Sequence, residues 1–360
     1  MRIAAASVRR VRLDYRRPLR TARGAQFVRE TLLFSLTDAD GLTGHGEAAP
    51  WPGFGTESID ASQSALERTA SMLRGADLEP DGPDATIDAA FRDAPAAHAA
   101  LQGALWDLAA RRLGLPLAQC LARRIRPGGP GASDAVATHA LLFGDTTDAV
   151  RASATEARQD GYRAAKLKLG FGTIEADLER ARAARSALGP DVLLRGDANG
   201  AWDAERALAA LERLAPIGFE FVEQPLPADA LDGLAALRRC SPVRIALDES
   251  VATARDVARV IVAGAADVVV LKPAFLGGSM CALAIAGRAR AAGAEVVYTH
   301  AMESAVGARH ALHCAAADGV DTAIHGVRTA GLFVEDVAAP VDATAGLAAV
   351  PNAPGIGVTP

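Results

Sequence analysis

"VLLRGDANGAWDAERALAALERLAPIGFEFVEQPL", residues 192–226, places two short apolar runs on either side of one amphipathic segment. Each apolar run stops at a carboxylate, Asp197 or Glu223, and a turn follows at once. Parallel strands cannot be joined by a tight hairpin, so strand, helix and strand of this length read as one crossover unit of a parallel α/β sheet. The same texture runs outward in both directions. Strands are expected at "VATHALLFG", "AAKLKLG", "VRIALDES", "DVVVLKP", "AEVVYTH" and, most weakly, "TAIHGV", with helices between them such as "TIEADLERARAARSALG", "ATARDVARVIVAG" and "SMCALAIAGRARAAG". Eight strands and seven intervening helices would close a barrel. An open doubly wound sheet would want a Gly-x-Gly-x-x-Gly turn after its first strand, and none is present.

The strand ends carry charge. Lys168, Asp197, Glu223, Asp248 and Lys272 follow one another at intervals of 29, 26, 25 and 24 residues, close to one strand-helix unit each. In a barrel the C-terminal strand ends converge on one mouth, so these five side chains would meet there. A single acidic residue at a strand end is more often a helix cap or a solvated loop residue. Five in register are not explained that way.

Asp197, Glu223 and Asp248 together would repel unless a cation sits among them, and an all-oxygen set suits a hard ion. Mg²⁺ is the expected ion, with Mn²⁺ as a substitute; zinc would prefer His or Cys. In "LDES" both Asp248 and Glu249 are candidates, and strand phase selects Asp248. Asn199 shares the face of Asp197 and is placed to orient a ligand or water. Lys166 and Lys168 leave their strand on one side, and Lys272 faces them with three carboxylate-bearing strands between. Mutual repulsion of such ammonium groups would lower a lysine pKa and supply a general base, while the opposing lysine serves as acid, second base or electrostatic stabiliser. A metal Lewis acid with a lysine base suits removal of a proton α to a carboxylate.

The rest of the chain sets bounds. Its 360 residues are half hydrophobic and 22% charged, with formal net charge −5, so neither nucleic acid nor an anionic membrane has a basic footprint to bind. The four cysteines, Cys120, Cys240, Cys281 and Cys314, show no CxxC spacing, and reduced thiols are expected. The opening "MRIAAASVRRVRLDYRRPLR" is arginine-rich like a transit peptide, but Val8, Val11, Leu13 and Tyr15 partly alternate, and an opening strand is expected. No apolar run is long enough for a spanning helix, and a cytoplasmic location is expected. Residues 1–125 read as an α+β module, strands to about residue 50 and helices over 57–124, ending at the Gly/Pro joint "RPGGPGASD". The barrel is expected over 134–330, with 330–360 packing back on the first module.

The motifs "KLKLG", "RGDANGAW", "FVEQPL", "ALDES" and "VLKPAFLGG", in this order, resemble the muconate-lactonizing branch of the enolase superfamily, and "ALWDLAARRLGLPL" resembles its helix at the edge of the capping domain. The resemblance covers nearly the whole chain and implies a (β/α)₇β TIM-like barrel under an N-terminal α+β capping domain. Within the branch, "GHGEAAPWPGFGTES", "HAMESAVG" and "HGVRTAGLF" are most similar to o-succinylbenzoate synthases of menaquinone biosynthesis. That implies a Mg²⁺-dependent lyase carrying out syn-dehydration of 2-succinyl-6-hydroxy-2,4-cyclohexadiene-1-carboxylate, a small dicarboxylate. The resemblance assigns Lys168 as the base that later acts as acid, Lys272 as stabiliser of the enediolate, and Lys166 as electrostatic support. Asp197, Glu223 and Asp248 become the metal ligands, and Arg20, Thr21, Asn199, Thr299, Glu303 and Ser304 candidates for substrate contact.

Departures from the family pattern bear on specificity. "DTAIHGVRTA" lacks the Asp-x-Asp with which dipeptide epimerases grip an α-ammonium group, and "THAMES" replaces a common Ser-Ser start. His300 is expected to line the mouth or pack, since oxygen donors already satisfy a hard ion, and His45 to be a structural hydrogen-bonder. The alternatives are an N-acylamino acid racemase or dipeptide epimerase with the same lysine pair, a metal-free Schiff-base aldolase, and a noncatalytic barrel.

Overall fold

The computed structural model describes residues 1–21, 24–78, 91, 93–320 and 322–360, with the side chains of 19–21 and 24 outside the description. The first module pairs β1 (Ile3–Thr21), β2 (Gly24–Asp38) and β3 (Thr43–Ala48) as an antiparallel sheet. Leu32, Phe34 and Leu36 alternate onto one face of β2 and pack against α1 (Ile59–Leu73) and α2 (Pro95–Arg112). The "GHG" of β3 follows from this packing. A Cβ on Gly46 would lie 1.9 Å from the Ala100 carbonyl and one on Gly44 2.3 Å from that of Ala104, so only glycine lets α2 lie this close to the sheet. Helix α3 (Leu117–Ile125) leads to the joint.

The second module is a parallel sheet in the order β11-β10-β9-β8-β7-β6-β5, each strand beside its sequence neighbour. Its strands are β5 (Ala140–Leu142), β6 (Ala164–Lys168), β7 (Leu193–Asp197), β8 (Phe219–Glu223), β9 (Ile245–Leu247), β10 (Val268–Leu271) and β11 (Glu295–Tyr298). The helices between are α4 (Thr147–Gln159), α5 (Ile174–Leu188), α6 (Ala204–Leu214), α7 (Leu231–Cys240), α8 (Ala254–Ala263) and α9 (Ser279–Ala291), followed by α10 (Ala305–Asp318). Thr146, Thr173, Asp203, Thr253 and Ser304 each cap the N-terminus of the helix they precede, which is why the turns after the strands are short and polar. Leu167 and Leu169 are buried outward against the helices, while Phe221, Ala246, Val268, Val270 and Val297 form a layer inside the curled sheet.

Two expectations change. "TAIHGV" forms no full strand. His325 bridges Thr138 and Gly326 bridges Thr299, and these paired residues close the sheet, with His139 N donating to His325 O at 2.9 Å and Gly326 N to Tyr298 O at 2.8 Å. "VATHALLFG" is two strands: β4 (Ala135–Ala137) pairs antiparallel with β12 (Leu347–Ala349), and only β5 enters the barrel. The fold is the α/β architecture of a capping domain on a barrel-like domain. The C-terminal segment touches both: Tyr15 of the cap stacks on Phe333 at 5.2 Å, and Thr138 N of the second module donates to Gly346 O at 2.9 Å. Among the described residues no helix is long and apolar enough to cross a membrane.

Candidate active site

Register brings the charged ends together. Lys168 pairs with Asp197 and Asp197 with Glu223 across adjacent strands, and Glu223 pairs with Ala246, two residues before Asp248. Lys168 Nζ lies 2.6 Å from Asp197 Oδ2 and 2.7 Å from Asn199 Oδ1. Lys166 Nζ, one step deeper, lies 3.2 Å from Asp197 Oδ2 and 3.3 Å from both Glu223 oxygens. Lys272 pairs with Asp248 and sits under the Phe54 ring, 4.7 Å from its centroid. The side chain of Lys168 is 42% exposed and those of Lys166 and Lys272 are 11%, so Lys168 is the lysine most open to an incoming molecule.

Burial and charge set the protonation of this cluster. Burial alone would lower Lys166, but Glu223, Asp197 and Asp248 outweigh it and push its pKa up. Lys166 is thus held protonated by the carboxylates around it, in keeping with a role as electrostatic support. Burial opposes the ionisation of Asp197, yet Lys168 and Lys166 hold its pKa below the usual carboxylate range. Burial, then the charge of Asp197, pushes Glu223 up to about 8, and burial with Asp248 pushes Glu249 up to about 7. Glu249 Oε2 is buried with no hydrogen-bond partner among the described residues. Among the described residues no three His, Cys, Asp or Glu side chains converge as they stand to hold an ion, since lysines occupy the space between the carboxylates. The donors nonetheless fit a hard divalent cation. Asp197, Glu223 and Asp248 offer only oxygens, and beside them Glu249 adds a buried oxygen with no hydrogen-bond partner among the described residues.

Two residues that hold this geometry adopt left-handed backbone, Asn199 at φ 44° and Gln224 at φ 42°. Asn199 accepts from Lys168, and its Nδ2 donates to Glu249 Oε1 at 3.0 Å, so its amide links the lysine to the acidic cluster. Gln224 is fully buried. Its Oε1 accepts from Asp248 N at 3.1 Å and Ser250 N at 3.2 Å, which fixes where Asp248 leaves β9. Gln224 was not singled out in the sequence, although a polar residue between a strand-end carboxylate and Pro225 is a usable signal. His139 was also missed. Arg195 can only donate, so its contact at 3.2 Å makes His139 Nδ1 an acceptor and leaves the proton on Nε2.

The remaining candidates lie elsewhere around the mouth. Thr299 Oγ1 donates to Gly326 O at 2.9 Å, within the barrel closure. His300 Nδ1 accepts from Met302 N at 3.1 Å, and burial lowers its pKa to about 4. Glu303 and Ser304 are fully buried, and the Ser304 hydroxyl donates to Glu47 of the cap at 2.5 Å. His45 bonds Ser35 at 2.9 Å within the cap sheet. The side chains of Arg20 and Thr21, and Asp321 of the segment after the seventh strand, lie outside the described residues. The cap contributes Trp51 and Phe54, which pack with Phe275 as an aromatic wall beside Lys272.

Residues 149–360 match the enolase C-terminal domain-like family, and residues 3–122 match the mandelate racemase/muconate lactonizing enzyme N-terminal domain. The chain belongs to the mandelate racemase/muconate lactonizing enzyme family of the enolase superfamily. Members of this enzyme family that the chain resembles differ in reaction. It is 32% identical to muconate cycloisomerase 1 of Rhodococcus opacus, over 95% of this chain and 91% of that one. It is 34% identical to the N-succinylamino acid racemase of Thermus thermophilus, over 99% and 95%. It is 30% identical to the o-succinylbenzoate synthase of Geobacillus kaustophilus, over 97% and 91%. The structure of a dipeptide epimerase from Enterococcus faecalis complexed with Mg and L-Leu-L-Tyr superposes with TM-score 0.88 at 29% identity, covering 99% of both chains.

Proposed function

We propose that this chain is an o-succinylbenzoate synthase, a lyase that dehydrates 2-succinyl-6-hydroxy-2,4-cyclohexadiene-1-carboxylate in menaquinone biosynthesis. The observation that carries the reading is the aromatic wall of Trp51, Phe54 and Phe275 beside Lys272, across the mouth from Lys168. An aromatic wall next to a cation suits a six-membered ring bearing a carboxylate. The sequence Asp321-Thr322-Ala323 offers no second carboxylate of an Asp-x-Asp pair for an α-ammonium group, which counts against dipeptide epimerisation.

Lys168 Nζ, held by Asp197 and Asn199, takes the proton α to the ring carboxylate and returns it to the departing hydroxyl on the same face. One C–H and one C–O bond break, water leaves, and the ring becomes aromatic. Lys272, on the opposite face, stabilises the charge that develops on the carboxylate oxygens. Lys166 stays protonated between Asp197 and Glu223 and reduces the negative charge the substrate must approach. Asp197, Glu223 and Asp248 would hold Mg²⁺, or Mn²⁺ in its place, which when bound supplies Lewis-acid stabilisation of the same carboxylate charge.

The second reading is racemisation of N-succinylamino acids. Lysines on opposite faces can exchange a proton from either side, and the Thermus thermophilus racemase is among the relatives. Incubation with each substrate in deuterated buffer separates the two. The synthase reading expects aromatic product from the cyclohexadiene acid. Deuterium entering N-succinylamino acids with inversion, without any dehydration, would establish the racemase instead.

A further inference from the structure

Arg29 is a buried cation inside the cap, and among the described residues no carboxylate forms an ion pair with it. Arg29 is 7% exposed, and its guanidinium is bound by backbone carbonyls from two separate parts of the chain. On the cap side, Nη1 donates to Pro50 O at 2.8 Å and Nη2 donates to Ala49 O. On the barrel side, Nε donates to Met302 O at 3.3 Å and Nη2 to Ala301 O at 3.4 Å. Its Cζ lies over the Trp51 ring, 4.8 Å from the ring centroid. Trp51 in turn meets Phe54 edge-on at 5.6 Å, and Phe54 covers Lys272.

A planar fork with five donors can hold several carbonyls at once, whereas an ammonium cannot match that fixed geometry. Leaving a guanidinium buried among neutral carbonyls is costly unless the arrangement is well satisfied, so its position is closely constrained. Met302, one of the bonded carbonyls, has φ 58°, a left-handed conformation that needs outside support in a residue with a side chain. We infer that Arg29 is a positioning residue for substrate specificity: it ties the cap loop carrying Trp51 and Phe54 to the barrel loop at Ala301–Met302, and so fixes the aromatic wall over Lys272. Arg29 does not touch substrate; it acts through Trp51 and Phe54. The sequence hid it, because an arginine in the alternating stretch "QFVRETLLFS" reads as an outward-facing strand residue.

The inference rests on the synthase reading for its choice of substrate. The test compares wild type, Arg29→Lys and Arg29→Met in steady-state kinetics on the cyclohexadiene acid and in acrylamide quenching of tryptophan fluorescence. Trp106 and Trp202 are 8% and 1% exposed, so quenching reports mainly on half-buried Trp51. Arg29→Met is expected to raise KM about tenfold with kcat changed much less, and to increase quenching, with Arg29→Lys in between. Should Arg29→Met fail to fold, Arg29→Lys carries both readouts. Unchanged KM and quenching in a folded variant, or a lowered Tm alone, would overturn the inference. If the wild type does not dehydrate the substrate, the synthase reading fails, and the quenching comparison still decides the role of Arg29.

Discussion

Lys168 Nζ is shared between Asp197 Oδ2 at 2.6 Å and Asn199 Oδ1 at 2.7 Å, so the lysine proposed as the base is aimed by the last residue of the next strand and by the turn that follows it. Replacing it should remove chemistry and leave the fold. Lys168→Ala is expected to lower kcat by about 10³-fold, within the range for loss of a positioned acid-base group, with an unchanged circular dichroism spectrum. Activity at the wild-type level would revive the reading of a noncatalytic barrel.

Asn199 offers a finer test of the same geometry. Asn199→Ala frees Lys168 on one side and Glu249 on the other. The expected outcome is a drop of about tenfold in kcat/KM, carried mainly by kcat, since a misaimed base costs rate more than binding. A change in KM alone would mean that Asn199 contacts substrate instead.

How far the sequence carried this site can be judged from particular residues. Lys166, Lys168, Asp197, Glu223, Asp248 and Lys272 were legible because strand parity and the repeat of one strand-helix unit are local properties. The short strand β4 was hidden, because its partner β12 lies some 210 residues further on. Likewise His325 and Gly326 close the barrel through isolated bridges with too little apolar pattern to read as a strand. Arg29 depends on carbonyls about 270 residues away, which no local pattern reports.

A metal held by the three carboxylates should appear in stability as well as in rate. Mg²⁺ at about 100 times its dissociation constant is expected to stabilise the native state by about 2.7 kcal/mol, raising Tm by a few degrees in a thermal shift measurement. Asp248→Asn should abolish the Mg²⁺-dependent part of the shift. A shift that persists in this variant would place the ion elsewhere.

Acid should destabilise the protein through its buried histidines. Burial lowers His300 to about 4 and His313 and His325 to about 3, so between these values and about 6.5 the unfolded chain binds protons that the folded one does not. Their contribution is therefore present above pH ~6.5 and lost as pH falls, by up to ~1.4 kcal/mol per group per pH unit. Burial acts oppositely on Glu303, raised to about 7: its contribution is present below ~4.5 and lost as pH rises through 7. Glu223 and Glu249, raised to about 8 and about 7, act in the same sense as Glu303, so the histidine contribution is read as the difference between wild type and a variant in urea denaturation at a series of pH values. A folded His313→Asn variant should show a shallower acid limb, and an unchanged limb would mean that His313 does not contribute.

The synthase reading is decided by kcat/KM for the cyclohexadiene acid and for an N-succinylamino acid, measured side by side with Mg²⁺ and after exhaustive chelation. Dehydration with kcat/KM of at least about 10⁴ M⁻¹s⁻¹ is expected, exceeding racemisation, vanishing on chelation and returning with Mg²⁺. Dehydration that is absent, or that survives chelation at full rate, would contradict it.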